Sequence, residues 1–227
     1  LPTSGNSAHP VDVNFPRRSF ILALLLTAIL PAVAQQPQRP TSTPYSGDLS
    51  IFEYPDRDRK LQIDRVMTLL HIEPGRNVAD LGAGSGWFTV RAARRVAPGG
   101  AVYAEDINPE AIKYIKDRAA KEKLSNIQTV LGTPDDPKLP PASLDAVLML
   151  KVYHEIAHPA VLLAALKPAL KPGARIGIID RNGNGADHGL DRAVVEKEMA
   201  HAGFHLEAKY DFTKADGQDY FLIFTAR

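Results

Sequence analysis

Apolar positions along the chain follow two alternating rhythms, one of helix and one of buried strand. Between residues 58 and 72, Leu61, Val66, Leu69 and Leu70 fall at helical spacing, and Pro74-Gly75 closes the segment. Residues 77–81 form a short apolar strand that runs into Gly82-Ala83-Gly84-Ser85-Gly86. Residues 87–96 read as helix, stopped by Pro98-Gly99-Gly100, and residues 101–106 as a buried strand. Asn108 is a good N-cap, because its side chain can accept from a free N–H of the first turn. With Pro109 and Glu110 behind it, a helix is predicted to about Leu124. Strands follow at 127–131, 144–150 and 175–180; the second is nearly all apolar, as a strand covered on both faces must be. Pro159 opens a helix toward Lys171-Pro172-Gly173, and Pro168, lacking an N–H, cuts its regular part short. A helix at about 190–202 stops at Gly203, and two strands, 204–210 and 219–225, end the chain.

This alternation predicts an α/β fold: a doubly wound, seven-stranded, mostly parallel sheet with helices on both faces and right-handed crossovers. Residues 211–218 read as loop, so the last two strands are expected to pair as an antiparallel hairpin at one edge. No internal repeat and no second domain are legible.

The first residues obey neither rhythm. Residues 1–16 are polar and aperiodic; Arg17-Arg18 then precedes an apolar run from Phe20 to Leu30, and Ala32-Val33-Ala34 precedes Gln35. A basic start, a short apolar centre and an Ala-x-Ala end describe an export signal cleaved after Ala34. The run is short of the ~20 residues a membrane span needs. Arg17-Arg18-Ser19-Phe20 also resembles a twin-arginine signal, with an uncleaved anchor or a buried helix as the bland alternatives. The expected organisation is therefore an export signal at 1–34, a Pro-, Gln-, Ser- and Thr-rich linker at 35–50, and one domain at 51–227. A periplasmic or secreted location follows, with no stable membrane span once the signal is removed.

Composition narrows the chemistry. The 227 residues are 44% hydrophobic and 23% charged, with a formal net charge of +1 and no basic run, which speaks against a dedicated nucleic-acid binder. No cysteine is present, so disulfides, thiolate zinc sites, iron–sulfur clusters and a cysteine nucleophile are excluded. The seven histidines are scattered. His201 and His205 would need one continuous helix to share a metal, and Gly203 interrupts it, so no metal site is expected.

In a doubly wound sheet ligands bind at the carboxyl ends of the strands, where strand order reverses. The first strand ends there in Asp80-Leu81-Gly82-Ala83-Gly84-Ser85-Gly86. The glycines let backbone approach a ligand, and the helix start behind them offers free N–H groups. A nicotinamide-binding turn wants Gly-x-Gly-x-x-Gly facing a pyrophosphate. Here Trp87 takes the sixth position and Asp80 would repel a phosphate, so a ligand with a cationic amino group or sulfonium suits it better. Glu105-Asp106 ends the second strand, where one carboxylate can accept from two ribose hydroxyls.

These segments resemble a known family. Val78–Gly86 and Val102–Ile107 look like the first two motifs of class I S-adenosylmethionine (SAM)-dependent methyltransferases. Residues 144–150 resemble their fourth strand, and 170–175 the turn before their fifth. Within that superfamily the chain is similar to small exported methyltransferase-like proteins that carry Tyr-His-Glu after the fourth strand. The resemblance implies SAM as cofactor, with Gly82, Ala83, Gly84 and Gly86 along its methionine portion, Asp80 at its ammonium and Asp106 at its ribose. Glu105 is a rival for the ribose, since alternation places only one of the pair well. Near the adenine it implies Asp135 or Asp136, with Thr133 beside them; turn formation is the alternative for that pair.

Methyl transfer itself mainly requires an aligned nucleophile. Lys151-Val152-Tyr153-His154-Glu155 follows the fourth strand, where an acceptor would sit, so His154 is the candidate base, with Glu155 orienting it or binding an acceptor cation; the alternative is a histidine that caps the next helix or bonds a loop carbonyl. Tyr153 reads as a packing residue and His158-Pro159 as a helix start. Tyr54, Arg57 and Arg59 precede the first helix and could contribute specificity, or form an ordinary salt-bridged face. The Asn/Asp-Pro-Pro-Tyr/Phe tetrad of DNA amino-methylases is missing after strand four. The expected activity is methyl transfer to a small-molecule or protein acceptor, not to nucleic acid. The alternatives are a non-catalytic SAM-binding or interaction protein and, less well supported, an NAD(P)-dependent oxidoreductase.

Overall fold

The structure is a computed structural model that describes residues 1–3, 5 and 39–226. The defining part of the expected export signal, Arg17 to Ala34, lies outside the described residues. Residues 36–227 form one compact unit.

Its described elements run in chain order as α1 (Arg57–Leu61), α2 (Ile63–Leu69), β1 (Val78–Leu81), α3 (Trp87–Val96), β2 (Val102–Asp106), α4 (Pro109–Lys121), β3 (Ile127–Leu131), β4 (Leu144–Leu150), α5 (Pro159–Leu166), β5 (Leu170–Asp180), α6 (Arg192–His201), β6 (Phe204–Tyr210) and β7 (Tyr220–Ala226). The sheet order is β3-β2-β1-β4-β5-β7-β6. The first five strands pair in parallel, whereas β7 lies antiparallel to both β5 and β6. β7 therefore slots between β5 and β6, leaving β6 at the edge. The 211–218 connection carries a short 3-10 turn at Phe212–Asp216 rather than plain loop.

Alternation along the strands feeds two cores. Val78, Val102, Ala146 and Leu148 join Trp87, Phe88 and Val96 on one face. Ala79, Leu81, Val147 and Met149 face the other way, onto Leu162, Leu163 and Leu166 of α5 and Met199 of α6. Side chains of period two thus serve both layers.

Two expectations change on folding. The helix expected over 58–72 is split at Gln62, whose φ of 53° breaks the α-helical run. The described part of the expected linker, residues 39–50, is held down. Arg39 donates to the carbonyl of Tyr153 at 2.7 Å and forms an ion pair with Glu198 at 3.0 Å, while the buried Ser42 hydroxyl donates to the carbonyl of Gly185 at 3.0 Å. Its polar composition suits these contacts as well as it suits solvent. No helix among the described residues is long and apolar enough to cross a membrane.

Candidate active site

Strand order reverses between β2 and β4, which flank β1, and a cavity of about 610 Å³ opens at their carboxyl ends. This is the volume of a ligand pocket. Its floor is the glycine turn. Gly82, Gly84 and Gly86 all have positive φ, at 73°, 54° and 70°, so a side chain at any of them would be strained. Gly82 also packs under the segment that follows β4: a Cβ there would lie 2.4 Å from Val152 Cγ2. Ser85 Oγ is buried beside the cavity, with no hydrogen-bond partner among the described residues.

Asp80 lies on the same strand face as Val78, toward α3, where the Thr89 hydroxyl donates to its Oδ2 at 2.6 Å. It is 2% exposed, and burial, reinforced by nearby Asp106, pushes its carboxyl up to about 7. One strand over, Asp106 Oδ2 accepts from the Gly84 N–H and Oδ1 from the Asn108 N–H, each at 2.8 Å. Burial raises its carboxyl as well. Glu105 and Asp106 both line the cavity, although strict alternation would send them to opposite faces. The strand ends at Asp106, and the turn through Asn108 frees that side chain to point back. Glu105 is buried, its carboxyl pushed up to about 8 by burial and then by Asp106.

Room for Glu105 is made by Gly132, where an added Cβ would lie 1.9 Å from Oε1. Gly132→Ala should therefore displace a buried carboxyl rather than a solvated one. The expected cost is about 1–3 kcal/mol of stability, together with weakened ligand binding in the cavity. Urea denaturation and calorimetry check the two; a variant unchanged in both would show that Glu105 moves freely.

After β3, Thr133 and Pro134 reach the cavity. Asp135 pairs with Nδ1 of His158 at 2.8 Å, and Asp136 closes a turn with Thr133 and Lys138, so both serve local structure rather than the cavity. Gly86 caps α3 behind the lining residues.

The opposite wall follows β4. His154 is 3% exposed, and its Nδ1 lies 2.8 and 3.0 Å from the two carboxylate oxygens of Asp180, at the end of β5. Asp180 also accepts from the backbone N–H groups of His154 and Arg181, at 3.2 and 2.9 Å. With the Asp180 carboxylate oxygens as acceptors, Nδ1 is the donor nitrogen of the ring and Nε2 is left as the acceptor. Nε2 lies 3.8 Å from Glu155 Oε1, and burial pushes the Glu155 carboxyl up to about 7. His188, from the loop after β5, completes this wall. Tyr153 is fully buried, a packing residue as expected. Asp180 and His188 are absent from the sequence-derived candidates. Asp180 carries only the positional signal of an acid at a strand's carboxyl end, and His188 carries none.

Residues 41–52 roof the cavity, with Tyr45 and Phe52 in edge-to-face contact at 5.4 Å. Arg57 lines it too, buried over the Trp87 ring at 4.3 Å and 3.8 Å from Asp216, while Arg59 is exposed and pairs with Asp56. Tyr54 donates its hydroxyl to Asp216.

The comparisons agree with this geometry. Residues 79–178 match the family described as "Methyltransferase domain". A SAM-dependent methyltransferase structure from Aquifex aeolicus superposes with a TM-score of 0.71 at 22% identity, covering 78% of this chain and 95% of that one. The fold is that of the SAM-dependent methyltransferases. The structure of the [4+2]-cyclase SpnF shares it, with a TM-score of 0.63, 15% identity and coverage of 84% and 87%, so this methyltransferase fold does not by itself decide a reaction. Nocamycin O-methyltransferase of Saccharothrix syringae is 32% identical over 117 residues, covering 50% of this chain and 41% of that enzyme. The chain thus spans less than half the length of that curated relative. Taken together, the matches support a methyltransferase domain and SAM as its cofactor.

The residues present fit that cofactor. Asp80, Glu105, Asp106 and Glu155 line one cavity; a bound ammonium or sulfonium would draw these raised carboxyls toward their charged form, and a pyrophosphate would not. The unpartnered Ser85 hydroxyl offers a further polar contact at the glycine turn.

Proposed function

We propose that this protein transfers a methyl group from SAM to a small-molecule or protein acceptor. The observation that carries the reading is a single cavity with the acid-guarded glycine turn on one side and the Asp180-held His154 on the other. Bound there, SAM supplies a sulfonium methyl that is already electrophilic. Asp80 would hold its ammonium, the Gly82–Gly84 backbone its amino-acid portion, Asp106 its ribose hydroxyls and Thr133 its adenine. At the other wall Asp180 fixes the His154 ring so that Nε2 faces the acceptor, and Glu155 adds negative charge beside it. The roof of residues 41–52 would shield bound SAM from water, which would strengthen every charge contact inside.

Calorimetry of the full chain with SAM and with its demethylated product tests this. Saturable binding of both is expected, SAM the tighter because it carries the extra sulfonium charge; a folded protein that takes up neither ends the proposal.

We further infer that the chain belongs with the small exported methyltransferase-like proteins and acts after export, on the strength of Arg17-Arg18, the apolar run and Ala32-Val33-Ala34. Expressed with a C-terminal tag in a bacterium, the protein should appear in the periplasm or medium with Gln35 as its first residue. A cytosolic product that retains Arg17-Arg18 would overturn the inference.

A further inference from the structure

We propose that His154, Glu155 and His188 bind one divalent transition-metal ion of the zinc class at the acceptor end of the cavity. Metal-ligand spacing in the sequence gave no such expectation. Folding brings one ligand atom of each residue to within 4.8 Å of the others, on the wall opposite Asp80.

Each member is set up as a ligand. The Asp180 carboxylate holds His154 through Nδ1, which leaves the Nε2 lone pair directed away from it. This carboxylate–histidine arrangement is the one that orients metal-ligating imidazoles and raises their basicity. Across from Nε2, Glu155 Oε1 stands at 3.8 Å, too far for a hydrogen bond. The two atoms make no hydrogen bond with each other, and each can serve as a ligand atom to a shared cation. An ion with bonds of about 2.0–2.2 Å to each can bridge the gap. The His188 ring stands nearly perpendicular to that of His154, at 86° with centroids 6.0 Å apart, so both ring edges can address a common point. His188 is held at a φ of 59°, its N–H donated to Ser42 Oγ and its carbonyl accepting from Arg181 Nε, each at 2.9 Å. Its side chain is exposed and can turn by the small amount that closes the set.

Two imidazoles and one carboxylate suit zinc, iron, cobalt or nickel better than magnesium or calcium. Three protein ligands leave positions open, as in a catalytic site. An acceptor hydroxyl lying against the ion would release its proton to water more readily, so the metal takes over the role of a base and His154 acts as its ligand. That catalytic consequence rests on the methyltransferase reading; the binding of the ion does not.

The test uses the full chain, stripped with a chelator and titrated with Zn²⁺ by calorimetry and with Co²⁺ by visible absorption. One ion per chain is expected, with a Co²⁺ ligand-field band that Zn²⁺ abolishes. Asp180→Asn should weaken Zn²⁺ about 10–100-fold. Loss of a direct ligand, in His188→Asn or Glu155→Gln, should weaken it at least as much. Asparagine suits that backbone position because it tolerates positive φ. Absence of saturable binding in the wild type, or equal affinity in wild type and both ligand variants, overturns the proposal. Cofactor binding without metal binding rejects the metal site alone, and metal binding without cofactor binding rejects the methyltransferase reading alone.

Discussion

Asp80→Asn is expected to weaken SAM binding by roughly 10–150-fold, from loss of a charge-assisted hydrogen bond of about 1.5–3 kcal/mol, without unfolding the protein. The isosteric amide can keep its contact with the Thr89 hydroxyl, so the change removes charge and little else. Stability should move the other way. Asp80 has a carboxyl near 7 in the fold against about 3.9 when unfolded. A raised carboxyl favours the folded state fully below its unfolded value, and that contribution is lost as pH rises through the folded value. At pH 8 the wild type carries the cost of an ionised, buried Asp80, and asparagine does not. The variant should thus match or exceed the wild type in thermal stability at pH 8 and lose that advantage near pH 4. SAM binding by the wild type should strengthen as pH rises through 7, with protons released on binding, and Asp80→Asn should flatten that dependence. Calorimetry in buffers of different ionisation enthalpy and thermal melts across pH measure both. A variant with wild-type SAM affinity would remove Asp80 from the site.

The second large effect concerns turnover. Asp180→Asn should lower kcat by about 10²–10⁴-fold, the range for losing an oriented acid–base group, while SAM affinity changes little. Asparagine can still accept from the Arg181 N–H, but it also presents an amide donor to Nδ1, which favours the tautomer with its proton on Nε2. Nε2 then faces the acceptor as a donor, the wrong polarity for a base or a ligand alike. Once an acceptor is found, single-turnover assays with saturating SAM separate this from a binding defect. A kcat within a few-fold of wild type would show that His154 needs no orientation.

What could be read before folding was whatever depends on neighbours in sequence. Alternation named all seven strands, and Pro168 ended α5 as its chemistry requires. Asp80, the glycines and Asp106 are legible because one turn carries them or because a strand end sets their position. The break at Gln62 was not, since neither glycine nor proline marks it. Asp135 and Asp136 looked like cofactor ligands by position, yet His158 and Lys138 claim them locally. Asp180 and His188 become meaningful only when β5 lies beside β4, a juxtaposition set by the sheet and not by any spacing in the chain. The neutral composition of residues 39–50 likewise gave no sign that Arg39 would find Glu198 and two carbonyls.

That last segment links the cavity to the chain ahead of it. Arg39 anchors on the carbonyls of Tyr153 and His154, and Ser42 on Gly185 and His188, before residues 44–52 pass over the glycine turn. Losing the Arg39 or Ser42 contacts would therefore free the ceiling and His188 together, and change how fast ligands come and go.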